Sequence, residues 1–290
     1  MIAGAEAGPR PFEVVVVAYH AEALLDRCLT ALAASVPVTV VDNSSSTAVA
    51  DVCARHAARY IDSGANLGFG GGVNIALREV LAGTPRDVLL LNPDAILAAD
   101  GAVALSQRLH ASAAARTAAL SPRIVDVAGL EQRVAWPFPH PARAWLEALG
   151  LGSWNRSQDY LIGAVLLLRW EALQEVGLFD ERFFLYAEEA DWQRRASALG
   201  WHVAVVHDVT AGHLGAGTST DPLLREVLFQ AGAETYVRKW FGTGGWTAYR
   251  VALVLGGLVR GVLLPAERGA AARARARIVA RGPRRLAGLT

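Results

Sequence analysis

The first third of the chain carries apolar runs that are too short to span a membrane and too rich in β-branched residues to favour helix. Phe-Glu-Val-Val-Val-Val-Ala-Tyr at 12–19 is apolar on both alternating faces. Such a strand has to be covered on both sides, as in a parallel sheet sandwiched between helices. PVTVVDNSSS (37–46) repeats the pattern and ends in a polar turn, a short strand is expected near Tyr60–Ile61, and DVLLLNPDA (87–95) closes on Asn-Pro-Asp. Between these runs the apolar residues take helical spacing, through Leu24, Leu25, Cys28, Leu29 and Leu32, then through Val49, Val52 and Cys53. GANLGFGGGVNIALREVLAG (64–83) is a glycine-rich loop opening a further helix. This β-α-β-α order predicts an open, mostly parallel sheet with ligands bound beyond the C-terminal strand ends. Asp42, Asn66 and Asp94 fall at such ends.

From about Ser121 the regularity weakens. VAWPFPHPARAWLEALGLGSWNRSQ (134–158) reads as a long structured loop rich in Pro and Trp. LIGAVLLLRWEAL (161–173) is a strand entering a helix, WHVAVVHDV (201–209) a further strand, and HLGAGTST (213–220) a flexible polar turn. Residues 222–241 and 246–280 are expected to be helical, and no internal repeat is visible.

The 290 residues are 53% hydrophobic and 19% charged, which argues against disorder and fits an enzyme with some affinity for lipid. A net charge of +1 gives no footprint for a nucleic-acid partner. The charge is uneven: residues 245–290 hold nine arginines against one acid, Glu267, so the rest of the chain is net negative. Cys28 and Cys53 lack metal or redox spacing and read as buried thiols of a reducing compartment. No signal-peptide pattern is visible, and the apolar run 251–259 is about half of what a span needs. A cytoplasmic protein is expected, resting on the inner face of the cell membrane without crossing it.

Several side chains are placed for chemistry. Asp42 closes a strand, either as an Asx-type turn bonding its own backbone or as an acceptor for a nucleobase imide. NLGFGGGVN (66–74) suits a diphosphate at a helix N-terminus, with Asn66 and Asn74 flanking it, or simply a tight turn. It is not a dinucleotide fingerprint, because counting from Gly68 the third glycine falls on Val73, which disfavours a nicotinamide-dependent oxidoreductase. Asp94 offers a hard oxygen ligand to a cation held mainly by substrate. In FDERFFLYAEEADWQRRASALGW (179–201), a helix starting near Glu188 puts Trp192, Ala196 and Leu199 on its buried stripe. Glu188 and Glu189 flank that stripe in the first turn, where the helix dipole favours acids. Asp191 points toward solvent, four residues before Arg195, at ion-pair spacing.

Taken in order, AYH at 18–20, VVDNSSS, NLGFGGGVN, LLNPDA, IGAVLLLR, GLFDERFFLYAEEADWQRR and HLGAGTS resemble a family 2 glycosyltransferase of the GT-A fold, in the rhamnosyltransferase-like branch of bacterial cell-envelope assembly. The resemblance covers about residues 12–240. It implies a GT-A, Rossmann-like three-layer α/β sandwich with a C-terminal helical extension. Residues 1–115 would be the nucleotide-sugar half, 116–244 the acceptor and catalytic half, and 245–290 a basic amphipathic tail. Asp42 would meet the base of a dTDP- or UDP-sugar, with Ala18, Tyr19 and His20 lining the same pocket. Asn66, Gly68, Asn74 and Asn92 would shape the ribose and diphosphate region. Asp94 and His213 would hold Mg²⁺ or Mn²⁺, and Gly163, Ala164 and Arg195 would border the acceptor. Glu188 and Glu189 fall on the family's Glu-Asp pair, whose second member is the base. Glutamate there, one methylene longer than expected, leaves Glu189, Glu188 and Asp191 all open as the base. The implied reaction is inverting transfer of a sugar to a glycan or lipid-linked acceptor; the alternative is a nucleotide-sugar-binding protein with little turnover. For the tail, an amphipathic helix on anionic lipid stands against a helix packed on the catalytic body.

Overall fold

The computed structural model describes residues 11–111, 114–152, 157–215 and 221–289. Its strands are β1 (Phe12–Ala18), β2 (Val38–Asp42), β3 (Arg59–Asp62), β4 (Asp87–Leu91), β5 (Ala95–Ile96), β6 (Thr117–Val125), β7 (Glu131–Gln132), β8 (Ala135–Trp136), β9 (Tyr160–Leu161), β10 (Val165–Leu168) and β11 (His202–His213). The helices are α1 (Glu22–Leu32), α2 (Thr47–Arg55), α3 (Gly68–Ala82), α4 (Ala99–Leu109), α5 (Pro141–Ala148), α6 (Trp170–Val176), α7 (Glu188–Ala198), α8 (Pro222–Leu263), α9 (Ala266–Arg281) and α10 (Pro283–Leu286).

The central sheet runs β3-β2-β1-β4-β10-β6-β11-β5, with β7 attached to β6. β3, β2, β1 and β4 are parallel, β10 runs against them, and β6 and β11 return to the common direction. The period-2 rule is visible in β1. Val14, Val16 and Ala18 enter one core layer, Val15 and Val17 the other. The first layer is closed by α1, α2 and α4, the second by α3, α6 and α7, which gives three layers. The mostly parallel α/β sandwich expected from the alternating runs is thus present.

Four features depart from the sequence reading, the first being that the stretch read as a loop at 134–158 holds β8 and α5. β6 is a full strand between β10 and β11, in the region where regularity weakens. Pro122 hides it: β11 shifts register between Val206 and Thr210, opposite Pro122 and Arg123, and a bulge absorbs a residue that cannot donate to the ladder. Leu199 is exposed, so the buried stripe of α7 is Trp192 and Ala196 without it. The tail is a hairpin, α8 turning at Leu264-Pro265 into α9, not one helix over 246–280.

α8 begins on an Asp221 cap that accepts from the Leu223 and Leu224 amides, with Pro222 at its first position. It kinks at Gly242 (φ 69°) and continues through residues 244 and 245. By length and composition it could cross a membrane. Its Trp246, Ala252, Gly256, Gly257 and Gly261 are buried, however, and Gly257 and Gly261 allow close approach by Ala272, Ala276 and Gly269 of α9. The polar turn after His213 falls largely on residues 216–220, outside the described residues.

Candidate active site

The strand order places a topological switch at β1. The chain proceeds to β2 and β3 on one side and crosses to β4 on the other, so a crevice opens between the ends of β1 and β4. On the β4 side, Asn92-Pro93-Asp94 turns the chain into β5, with the Ala95 amide donating to the Asn92 carbonyl. β5 pairs antiparallel with the end of β11, matching Ala95 to His213. That register brings together two residues more than a hundred positions apart. His213 Nε2 lies 3.4 Å from Asp94 Oδ1.

The glycine-rich loop packs close against neighbouring backbone. Gly68 has φ +72°, and a Cβ there would lie 1.9 Å from the Phe184 carbonyl oxygen, which accepts from the Phe69 amide at 2.9 Å. A Cβ at Gly72 would sit 2.8 Å from Val17. The glycines therefore let α3 dock against β1 and the 184–187 segment. In that segment Tyr186 and Ala187 both take positive φ, and Gly232 of α8 lies under the Tyr186 carbonyl. Two consecutive left-handed residues without glycine are costly, and here helices on two sides hold them. They aim the first turn of α7.

Glu188 and Glu189 occupy that turn, and both line a cavity of about 410 Å³. Glu188 is 3% exposed, and its Oε2 has no hydrogen-bond partner. Burial first, and the Glu189 charge second, hold its carboxyl well above the usual range. Burial also raises Glu189, opposed by nearby backbone amides including those of Glu189, Gly163 and Ala190. Two carboxyls one residue apart in a poorly solvated site cannot both ionise cheaply. Glu189 has the larger set of amides directed at its carboxylate.

Asp191 is fully buried, not solvent-facing. It does pair with Arg195, at 3.1 Å, but also with Lys239 at 2.6 Å and the Trp240 indole N–H at 2.9 Å. It is off the cavity wall and faces Lys239 and Trp240 of α8. Arg195, expected at the acceptor, instead donates to the Val176 and Leu178 carbonyls. Asn74, expected at the nucleotide, clamps Phe179 through its backbone N–H and C=O and bonds Glu181. Both are occupied by the protein's own turn at 176–181.

On the β1 side, Tyr19 and His20 are exposed and their rings lie 4.5 Å apart, while Ala18 is buried. Asp42 is buried beside them. Its oxygens accept from the Ser44 amide and hydroxyl, the Ser46 amide and the Tyr60 hydroxyl. This is the Asx-turn alternative, with all four lone-pair positions taken. A nucleobase contact at Asp42 requires Ser44 or Tyr60 to let go. Asn66 accepts from the Gly68 amide through its side chain. Asn92, Gly163, Ala164 and His213 line the cavity with Glu188 and Glu189. Much of the rest of its wall is aromatic, from Phe69, Trp136, Tyr160, Tyr186, Phe229 and Tyr249, beside aliphatic Pro139, Ile162, Leu185 and Ala233. Of the aromatic residues Phe69, Trp136 and Tyr186 fall in stretches the sequence singles out, 64–83, 134–158 and 179–201; the others come from separate segments with no shared spacing.

A family model described as "Glycosyltransferase like family 2" matches residues 9–236. The chain is a member of glycosyltransferase family 2. An N-acetylglucosaminyl-diphospho-decaprenol L-rhamnosyltransferase from Mycobacterium tuberculosis is 30% identical over 241 residues, covering 72% of this chain and 78% of that protein. A low-salt glycan biosynthesis hexosyltransferase from Haloferax volcanii is 27% identical over 208 residues, covering 69% of this chain and 66%, just under two thirds, of that protein. Among solved structures, a glucosyl-3-phosphoglycerate synthase from Mycobacterium tuberculosis, in complex with Mn²⁺, UDP-glucose and phosphoglyceric acid, superposes with a TM-score of 0.57 at 18% identity. The match covers 79% of each chain and shows the GT-A fold. The expected family, fold and glycosyltransferase class therefore hold.

For this family 2 glycosyltransferase the donor set at the β4–β11 corner suits a divalent cation. A carboxylate oxygen and an imidazole nitrogen 3.4 Å apart match Mn²⁺ or Mg²⁺ ligand chemistry. Among the described residues no group of three or more His, Cys, Asp or Glu could hold a metal alone. Asp94 and His213 would thus supply part of a coordination shell that a diphosphate completes.

Proposed function

We propose that this chain is a metal-assisted, inverting glycosyltransferase. It moves a hexose, with L-rhamnose the leading choice, from a dTDP- or UDP-linked donor to a hydroxyl of a glycan or lipid-linked acceptor. What carries the reading is one juxtaposition: Glu188, Glu189, Asn92 and His213 share a single cavity at the switch point of a GT-A sheet. The names of the relatives support a hexosyl donor and a lipid-linked acceptor.

The acceptor oxygen forms a bond to the anomeric carbon as the bond from that carbon to the leaving phosphate oxygen breaks. The acceptor proton passes to Glu189, and the nucleoside diphosphate departs with the bond's electrons. Bound Mg²⁺ or Mn²⁺ would offset the charge growing on the leaving diphosphate. Glu188, whose carboxyl burial holds above the usual range, is suited to donate a hydrogen bond to a sugar hydroxyl. Asp191 and Arg195 act at one remove, fixing α7 against the 176–181 turn and α8.

The acceptor reading extends to the membrane. Val251, Leu255, Leu258, Val259, Val262 and Leu263 form an exposed stripe on α8, away from its contacts with α5 and α9. At the hairpin tip Val262 is 83% and Leu263 76% exposed. Arg268, Arg277, Arg281 and Arg285 on the following helices are exposed and make no ion pair among the described residues. An apolar stripe edged by arginines, on a body that is net negative, fits an anionic bilayer surface.

The test is a thermal-shift screen of nucleotide sugars with Mg²⁺ or Mn²⁺, followed by hydrolysis and transfer assays on the best binder. Metal-dependent binding of a dTDP- or UDP-sugar with turnover supports the reading. Binding with no turnover in any assay would replace it with a nucleotide-sugar-binding protein.

A further inference from the structure

We propose that Gln132 is a positioning residue of the candidate metal site, setting the tautomer and ring orientation of His213. This rests on the assignment of Asp94 and His213 to the metal.

Gln132 sits on β7, which pairs with β6 at Ile124, while β6 pairs with β11 through Ile124 and Ala211. These ladders carry Gln132 to the end of β11, where its side chain bonds His213 twice. Its Nε2 donates to the His213 carbonyl at 3.0 Å, and its Oε1 lies 3.1 Å from His213 Nδ1. The first bond fixes which end of the amide is which, because a carbonyl can only be met by the N–H₂ group. The amide oxygen must then face Nδ1, and an oxygen can only accept, so Nδ1 carries the hydrogen. Of the two neutral tautomers this selects the one whose Nε2 keeps its lone pair, and Nε2 faces Asp94 Oδ1, 3.4 Å away. A neutral imidazole with the outer nitrogen donating and the inner one open is the form a metal requires.

Without Gln132, the ring would be free to put its proton on Nε2 and donate directly to Asp94. That arrangement closes the gap with a hydrogen bond and removes one metal ligand. The strand ladder fixes the backbone whichever residue stands at 132, so the effect belongs to the side chain.

The experiment uses the full chain, isotopically labelled, without metal, at about pH 8, where an ordinary imidazole is neutral. Long-range proton–nitrogen spectra report the tautomer of each histidine, and His213→Asn assigns the signal. The wild type should show Nδ1–H, Gln132→Leu should shift toward Nε2–H, and Gln132→Glu, which keeps an acceptor, should restore Nδ1–H. In parallel, electron paramagnetic resonance titrations with Mn²⁺ alone and with Mn²⁺ plus UDP should show Gln132→Leu binding about 10–100-fold more weakly. An unchanged tautomer and unchanged Mn²⁺ affinity in Gln132→Leu would overturn the proposal. Equal Mn²⁺ affinity of wild type and Asp94→Asn would also overturn it, by removing the metal assignment itself; the tautomer shift, still present in that case, tells the two failures apart.

Discussion

Asp191→Asn should damage the fold and spare the chemistry, whereas Glu189→Gln should do the reverse. Asp191 has no exposed surface and faces two cations, Arg195 and Lys239, each largely buried. Removing one partner of a buried ion pair typically costs about 3–5 kcal/mol. The full figure does not apply here. Lys239 keeps Asp180 at 2.7 Å, Arg195 keeps two backbone carbonyls, and an Asn can still accept from the Trp240 N–H. About 2 kcal/mol is left, equivalent to a fall in Tm of about 3–4 °C for a chain of this size. Glu189→Gln removes a charge that burial already disfavours, so stability should hold or rise. It should lower kcat by about 10²–10⁴, the range for loss of a placed general base. Calorimetry paired with transfer rates, measured well below either Tm, separates the two effects. If Asp191→Asn abolishes transfer at unchanged Tm while Glu189→Gln stays active, the assignment of roles on α7 is wrong.

Other outcomes can be checked alongside. For Glu188 the folded carboxyl is held above its ordinary value of 4.5, so the folded state keeps a proton that the unfolded state has lost. Stability should therefore fall as pH rises from about 4.5 toward the raised value, by up to about 1.4 kcal/mol per pH unit. Glu188→Gln should flatten that slope in urea titrations, and an identical slope in wild type and variant would contradict the burial argument. Gly68→Ala combines a left-handed backbone with a Cβ 1.9 Å from the Phe184 carbonyl, and should cost about 3 kcal/mol in chemical denaturation while disturbing the 184–187 segment. A cost below about 1 kcal/mol would mean that α3 is not locked there. In liposome flotation with anionic vesicles, the Val262→Asp, Leu263→Asp double variant should bind at least about tenfold more weakly at unchanged Tm. Equal flotation would remove the membrane surface.

Much of the sheet was legible because β-branched runs buried on both faces have few alternatives. The strands at 12–18, 38–42 and 87–91 follow directly from such runs, and their ends carry Asp42 and the Asn-Pro-Asp corner. β6 was not legible because Pro122 and Ser121 interrupt its pattern, and the bulge that tolerates the proline belongs to another strand. On α7 the helical wheel put Asp191 in water. A wheel drawn for one helix cannot see α8 arriving with Lys239 and Trp240 from positions 239 and 240. The glycine loop is instructive in a different way. Its composition announces close approach, but the partner that approaches is the backbone of Phe184, which no local motif encodes. Gln132 escaped for the same reason: its meeting with His213 depends on three strands being laid side by side.

The most direct test of the whole account is a crystal structure of the full chain with UDP or dTDP and Mn²⁺, using the anomalous signal to place the metal. One manganese should contact Asp94 and His213 Nε2, completed by diphosphate oxygens, with Glu189 across the same cavity. A nucleotide bound in that cavity with no metal at Asp94, or a manganese held elsewhere on the surface, would contradict it.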